Sequence, residues 1–110
     1  MSDDFMKNFA AAAMEGSKQM TALDNLIRIA KADTEDSRRV ADFLLAWWNS
    51  GSCGSFDLTN LYRLNDGLVE DVARVVLYIG RLRSYPPTQY EPDFLKIVEK
   101  WRPELVEQER

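Results

Sequence analysis

Apolar residues recur through the first third of the chain in alternating steps of three and four. Met6, Phe9, Ala13, Gly16, Met20, Leu23, Ile27 and Ala30 keep one a/d heptad register, the spacing that holds a single stripe on one side of a helix. The pattern predicts a helix over 3–31. Gly16 lies on the stripe, where glycine weakens a helix by about 1 kcal/mol against alanine. A break at Gly16 is therefore the alternative, and close approach of another helix is the reason to keep the element continuous. The flanking positions, Phe5, Ala10, Ala12, Ser17, Gln19 and Leu26, lack the charges that edge a parallel coiled coil. The stripe thus either packs onto the chain's own domain or pairs with a second copy. The second option makes Met6, Phe9, Ala13, Gly16, Met20, Leu23 and Ile27 candidate oligomerisation residues.

Polar punctuation divides the rest. Asp33-Thr34-Glu35-Asp36-Ser37 supplies a capping residue and first-turn acids, which start a helix. Val40, Phe43, Leu44 and Trp47 follow at i, i+3, i+4 and i+7 and share its buried face, until Asn49 and Gly51 end it. Adjacent helical residues point about 100° apart, so Trp48 leaves the stripe that holds Trp47. Residues 50–56 read as a turn-rich loop around Cys53. Asp57 caps a short helix over Leu58–Arg63, and Asn65-Asp66 caps the next, over 66–83. There Leu68, Val72, Val75, Ile79 and Leu82, with Val69 and Val76 beside them, form an apolar face wide enough for the central helix of a bundle. Ser84-Tyr85-Pro86-Pro87-Thr88-Gln89 is extended, because proline cannot continue a helix and disfavours α geometry before it. Glu91-Pro92-Asp93 opens a last long helix that buries Phe94, Ile97, Val98 and Trp101. Pro103 begins a further turn leading into a charged tail.

These elements make an all-α fold, a small bundle of four to five helices with a long N-terminal heptad-patterned helix. At 110 residues a single domain is expected. Within it, 1–32 form the N-terminal helix, 33–103 the core bundle and 104–110 a frayed tail. A hydrophobic share of 45% beside 29% charged residues supports a packed core.

Charge and reactive groups narrow the function by exclusion. The net charge is −4, which disfavours nucleic acid as a partner because phosphate neutralisation needs a basic surface. There is no histidine and one cysteine, so the commonest general base, the commonest transition-metal ligand and an internal disulfide are all missing. Gly51-Ser52-Cys53-Gly54 lacks the lysine and the strand of a phosphate loop. Cys53 reads as a structural residue. The carboxylates Asp33, Glu35, Asp36, Glu70 and Asp71 could meet a cation but suit helix starts. No enzyme, catalytic residue, cofactor or metal is expected. The acidic Met1-Ser2-Asp3-Asp4 and the short Ala10–Ala13 run fit no export signal, and no run nears the ~20 apolar residues of a membrane span. A cytoplasmic protein is expected.

Tryptophan, tyrosine and arginine anchor protein interfaces. Trp48, Arg81, Arg83 and Tyr85, beside a rigid double proline, are accordingly the candidate protein-binding residues. Arg63, Arg74, Arg81 and Arg83 are the contacts a DNA-associated regulator would use, which is the alternative.

Four blocks carry a resemblance: Ala41-Asp42-Phe43-Leu44-Leu45-Ala46-Trp47-Trp48-Asn49, Cys53-Gly54-Ser55-Phe56-Asp57-Leu58-Thr59, Arg83-Ser84-Tyr85-Pro86 and Trp101-Arg102-Pro103. Over residues 41–86 and 94–103 they resemble an uncharacterised bacterial family met on plasmids, integrative elements and phages. The resemblance implies an accessory protein of a mobile element, with no activity or functional residue to carry over. A protein-binding modulator of a host machine, such as a defence complex of the anti-CRISPR kind, is one concrete form. The heptad helix lies outside the resembling blocks.

Overall fold

A computed structural model describes residues 20–108, and among them there are helices and no strand. Helix α1 covers residues 20–30, α2 Glu35–Cys53, α3 Asp66–Leu82, α4 Glu91–Trp101 and α5 Pro103–Gln108. Two 3-10 segments, Leu58–Arg63 and Thr88–Tyr90, join α2 to α3 and α3 to α4. The all-α bundle expected from the pattern is present. Of the expected helix 3–31, residues 3–19, with Met6, Phe9, Ala13 and Gly16, lie outside the described residues.

Each start has a local cause. Thr34 Oγ1 accepts the Ser37 N–H at 3.0 Å and meets the Ser37 hydroxyl at 2.8 Å, which satisfies a first-turn donor of α2. Asp57 Oδ1 accepts from the Thr59 N–H at 2.9 Å, and Asn65 Oδ1 accepts from the Leu68 N–H at 2.9 Å. Pro92 stands in the first turn of α4, where its missing N–H costs nothing.

The stops differ more from expectation. The backbone of α2 leaves helical geometry at Asn49, as the sequence suggested, but one further turn follows and brings in Cys53. Asn49 Oδ1 accepts the Ser52 N–H at 3.2 Å, so the residue that ends one helix caps the next turn. Gly54, at φ +97°, then closes that turn with its N–H on the Ser50 carbonyl at 3.0 Å, a conformation that favours glycine. Helix α3 ends on Arg83 at φ +53°, ψ +41°, a left-handed cap made without glycine.

The core centres on α2 and α4. Val40, Ala41, Leu44 and Leu45 of α2, Phe94 and Ile97 of α4, and Leu23, Leu26 and Ala30 of α1 have no exposed surface. That corrects two expectations. Leu23 and Ile27, offered for an oligomer seam, lie inside the chain's own core, with Met20 packed at its edge. And α3 is not the central helix: it buries Leu68, Val72 and Val75, while Val76 and Leu77 stay half exposed. Polar contacts bind α1 to the bundle. Trp101 Nε1 donates to the Ala30 carbonyl at 2.7 Å, Asn25 Nδ2 to Asp71 at 2.6 Å, and Lys31 pairs with Asp93. The Tyr90 hydroxyl bonds to Asp24, and its pKa is pushed up to about 12, mainly by burial and then by that carboxylate.

Candidate functional site

The double tryptophan divides into two roles because successive helical side chains diverge. Trp47 turns toward α3 and α4, edge-on to Tyr78 and Phe94 at 6.2 and 6.3 Å. Its Nε1 donates to the Ser84 carbonyl at 3.0 Å, so it ties the proline-rich strap after α3 to α2. Trp48 stacks on Phe94, centroids 6.4 Å apart and planes 24° apart. Its indole is half-buried and is a wall of two adjoining cavities. One, about 150 Å³, is closed by Tyr85, Pro86, Pro87 and Glu91. The other, about 330 Å³, runs past Asn49 and Ser52 to Leu95, Leu105 and Val106. Tyr85 is 74% exposed on one rim, and Leu95 is exposed on the other.

Of the four candidate binding residues, the structure thus brings Trp48 and Tyr85 together. Arg81 and Arg83 sit at the end of α3 and line neither cavity. Arg83 holds the left-handed cap, a backbone role that its side-chain chemistry does not announce.

Arg102 is the residue that sequence reasoning missed. Its Nη2 pairs with Asp42 at 2.8 Å, its Nε donates to the Cys53 carbonyl at 3.0 Å, and its Nη1 donates to the Trp101 carbonyl at 2.9 Å. One fork therefore fastens α2, the turn after its kink and the α4–α5 joint. Both side chains of the Asp42 pair are about four-fifths removed from water, where a charge-assisted bond is stronger than at the surface. The available signal was the Trp101-Arg102-Pro103 block. Arginine followed by proline at a helix end gives no hint of its partner sixty residues away.

Cys53 is buried, and burial pushes its thiol up against the smaller opposing pull of Arg102. A raised thiol is a poorer nucleophile at neutral pH.

A concavity of about 730 Å³, larger than either Trp48 cavity, lies between α1 and the start of α3. Its polar walls are engaged with one another: Asn25 holds Asp71, Glu70 holds Arg74 at 2.6 Å, and Asn65 caps α3. The acids proposed as helix-start residues are likewise engaged. Glu35 and Asp36 pair with Arg38 and Arg39, and Asp33 with Lys100. Among the described residues no three carboxylate or thiol groups converge to hold a metal ion, and no helix is long and apolar enough to cross a membrane. Arg74 and Arg81, seven residues apart, share an edge of α3, while Arg63 ends the 3-10 segment.

The blocks that carried the resemblance converge at this end of the molecule. Asp42, Trp47, Trp48 and Cys53 come from α2, Ser84 to Pro86 from the strap, and Trp101 and Arg102 from the end of α4. No curated protein and no solved structure matches the chain. The family match is wider than the resembling blocks, starting at Met20 and so taking in α1 and the heptad positions Met20, Leu23 and Ile27. With residues 20–102 matched, the chain belongs to DUF7673, a family of unknown function.

Proposed function

We propose that the chain is a protein-binding module without enzymatic activity, whose contact site is the Trp48 wall between its two cavities. The single observation behind this reading is the joint placement of Trp48 and Tyr85 on one concavity stiffened by Pro86 and Pro87. Aromatic anchors on a pre-formed surface lose little conformational entropy on binding. In the form suggested by the sequence, the chain serves a mobile element by modulating a host protein complex. The DNA-associated alternative is weaker, because Arg74 already faces Glu70 at 2.6 Å and counterion release needs unneutralised cations.

Quantitative affinity capture from bacterial lysate tests the reading, with full-length wild type compared against Trp48→Ala and Tyr85→Ala. Recovery of the same partner should fall at least about tenfold in each variant, in the range of an interface anchor, with the helical circular dichroism of both baits kept and the melting of the exposed-site variant Tyr85→Ala unchanged. Capture that survives both substitutions moves the site elsewhere. Salt-sensitive binding to duplex DNA, lost with Arg81→Ala, would instead support the regulator.

A further inference from the structure

Charge on the two Trp48 cavities has one sign. Among the described residues the smaller cavity has Glu91 in its wall and the larger has Glu99, and neither has a lysine or an arginine. Of the two acids in the first turn of α4, Asp93 pairs with Lys31, whereas Glu91 meets no cation among the described residues. Glu99 meets none either. Arg102, which reaches the carbonyl of the wall residue Cys53, is already matched by Asp42.

The aromatic rings show the same gap. Lys100 lies over the Trp101 ring at 5.2 Å, a cation–π contact made within the chain. Trp48 and Tyr85 have no cation over them among the described residues. Stacking on Phe94 holds the Trp48 indole in place, and Pro86 and Pro87 stiffen the strap that carries Tyr85. A cavity of about 150 Å³ takes the end of one side chain and no larger element. Arginine suits aromatic walls and a carboxylate together. Its flat guanidinium stacks on a ring while its fork pairs with the acid. Lysine carries a compact, strongly hydrated charge that loses more on leaving water. An acidic segment would meet Glu91 and Glu99 as like charges.

We propose that the partner of this site presents an arginine, whose guanidinium enters the smaller cavity against Trp48 and Tyr85 and pairs with Glu91. An adjoining apolar side chain of the same segment sits in the larger cavity among Leu95, Leu105 and Val106. The inference rests on the Trp48 wall being the contact site and adds the chemistry of what binds there, a basic residue beside an apolar one.

Titration of the isotope-labelled full chain with the blocked dipeptide acetyl-Arg-Leu-amide, followed by amide and indole NMR signals, tests it. Acetyl-citrulline-Leu-amide keeps the shape of that peptide and loses its charge. Saturable shifts are expected at the Trp48 indole and at the Tyr85 and Glu91 amides. The Kd should be at least about tenfold higher for the citrulline peptide. For the arginine peptide it should rise at least about threefold in Glu91→Gln, the range of a partly exposed ion pair, with the helical circular dichroism of that variant kept. No shift with the arginine peptide, equal binding of the citrulline peptide, or indifference to Glu91→Gln overturns the proposal. Capture from lysate separates this failure from failure of the contact site. A partner lost in Trp48→Ala and Tyr85→Ala but kept in Glu91→Lys leaves the site and overturns the arginine, whereas a partner kept in all three variants overturns the site itself.

Discussion

Between α2 and α4, Phe94 is held out of solvent with Trp47 edge-on to it and Trp48 stacked on it. On the outer face of α3, Val76 and Leu77 stand at equally good helical spacing and remain half exposed. The two regions are alike in composition and differ in what lies opposite. The first faces a full helix. Among the described residues, the second meets Phe43, Phe56 and the six-residue 3-10 segment Leu58–Arg63, which is too short to cover a five-turn helix. Burial is thus decided by the partner element and not by the stripe itself, and among the described residues no element closes the outer face of α3.

The largest expected effect comes from breaking the closed region. Phe94→Ala removes the ring shared by both tryptophans and leaves a cavity in the α2–α4 seam. We expect a loss of about 3–5 kcal/mol in urea unfolding, whereas Leu77→Ala on the open face stays within about 1 kcal/mol. Equal losses at the two positions would erase the distinction between them.

Next comes the Arg102 fork. Arg102→Met strands the Asp42 carboxylate and the Cys53 carbonyl. A cost of about 1–3 kcal/mol is expected, below that of a fully buried pair because some water reaches both groups. Asp42→Asn in the same chain should recover part of it, so a double-mutant cycle on the urea midpoint reads the coupling. Strictly additive effects would show that the pair is ornamental to the fold.

How much of this was legible in the sequence depends on how local the cause is. The capping side chains of Thr34, Asp57 and Asn65, the stop at Asn49, and the segments beginning at Leu58 and Glu91 all follow from chemistry within four residues. Periodicity placed Phe43, Leu44, Phe94 and Ile97 in the core correctly. It also marked Trp48 as the tryptophan that leaves the stripe, and Trp48 is indeed the one that walls the cavities. Periodicity could not tell which of two apolar stripes on α3 would find a partner, because that depends on the path of the chain between α2 and α3. For the same reason the heptad stripe offered Leu23 and Ile27 to a second copy, when the chain's own core already buries them. Arg102 was invisible because its partners are remote in sequence.

Smaller effects sharpen the contrast. Arg83 caps α3 in a left-handed conformation that penalises a side chain, so Arg83→Gly should raise stability by about 0.5–1 kcal/mol. The gain would appear as a higher Tm, while a fall in Tm would mean that the arginine side chain itself is needed at the mouth of the strap.

The last effect is confined to alkaline conditions, a pH slope on the closed side. Tyr90 keeps its proton up to about pH 12 in the folded chain, against an ordinary value near ~10. Because its folded pKa is raised, its contribution is complete below the unfolded pKa and is lost as pH rises from about 10 to about 12. Alkaline unfolding of Tyr90→Phe should lack that component, and ultraviolet titration of the wild type should show one tyrosine ionising late.

The central claim, a closed α2–α4 seam beside an open α3 face, is tested most directly by amide hydrogen exchange of the full chain. We expect the amides of α2 and α4 to exchange slowest, and residues 69–80 of α3, together with Leu58–Arg63, to exchange faster. Protection of 69–80 that equals that of α2 would contradict the account.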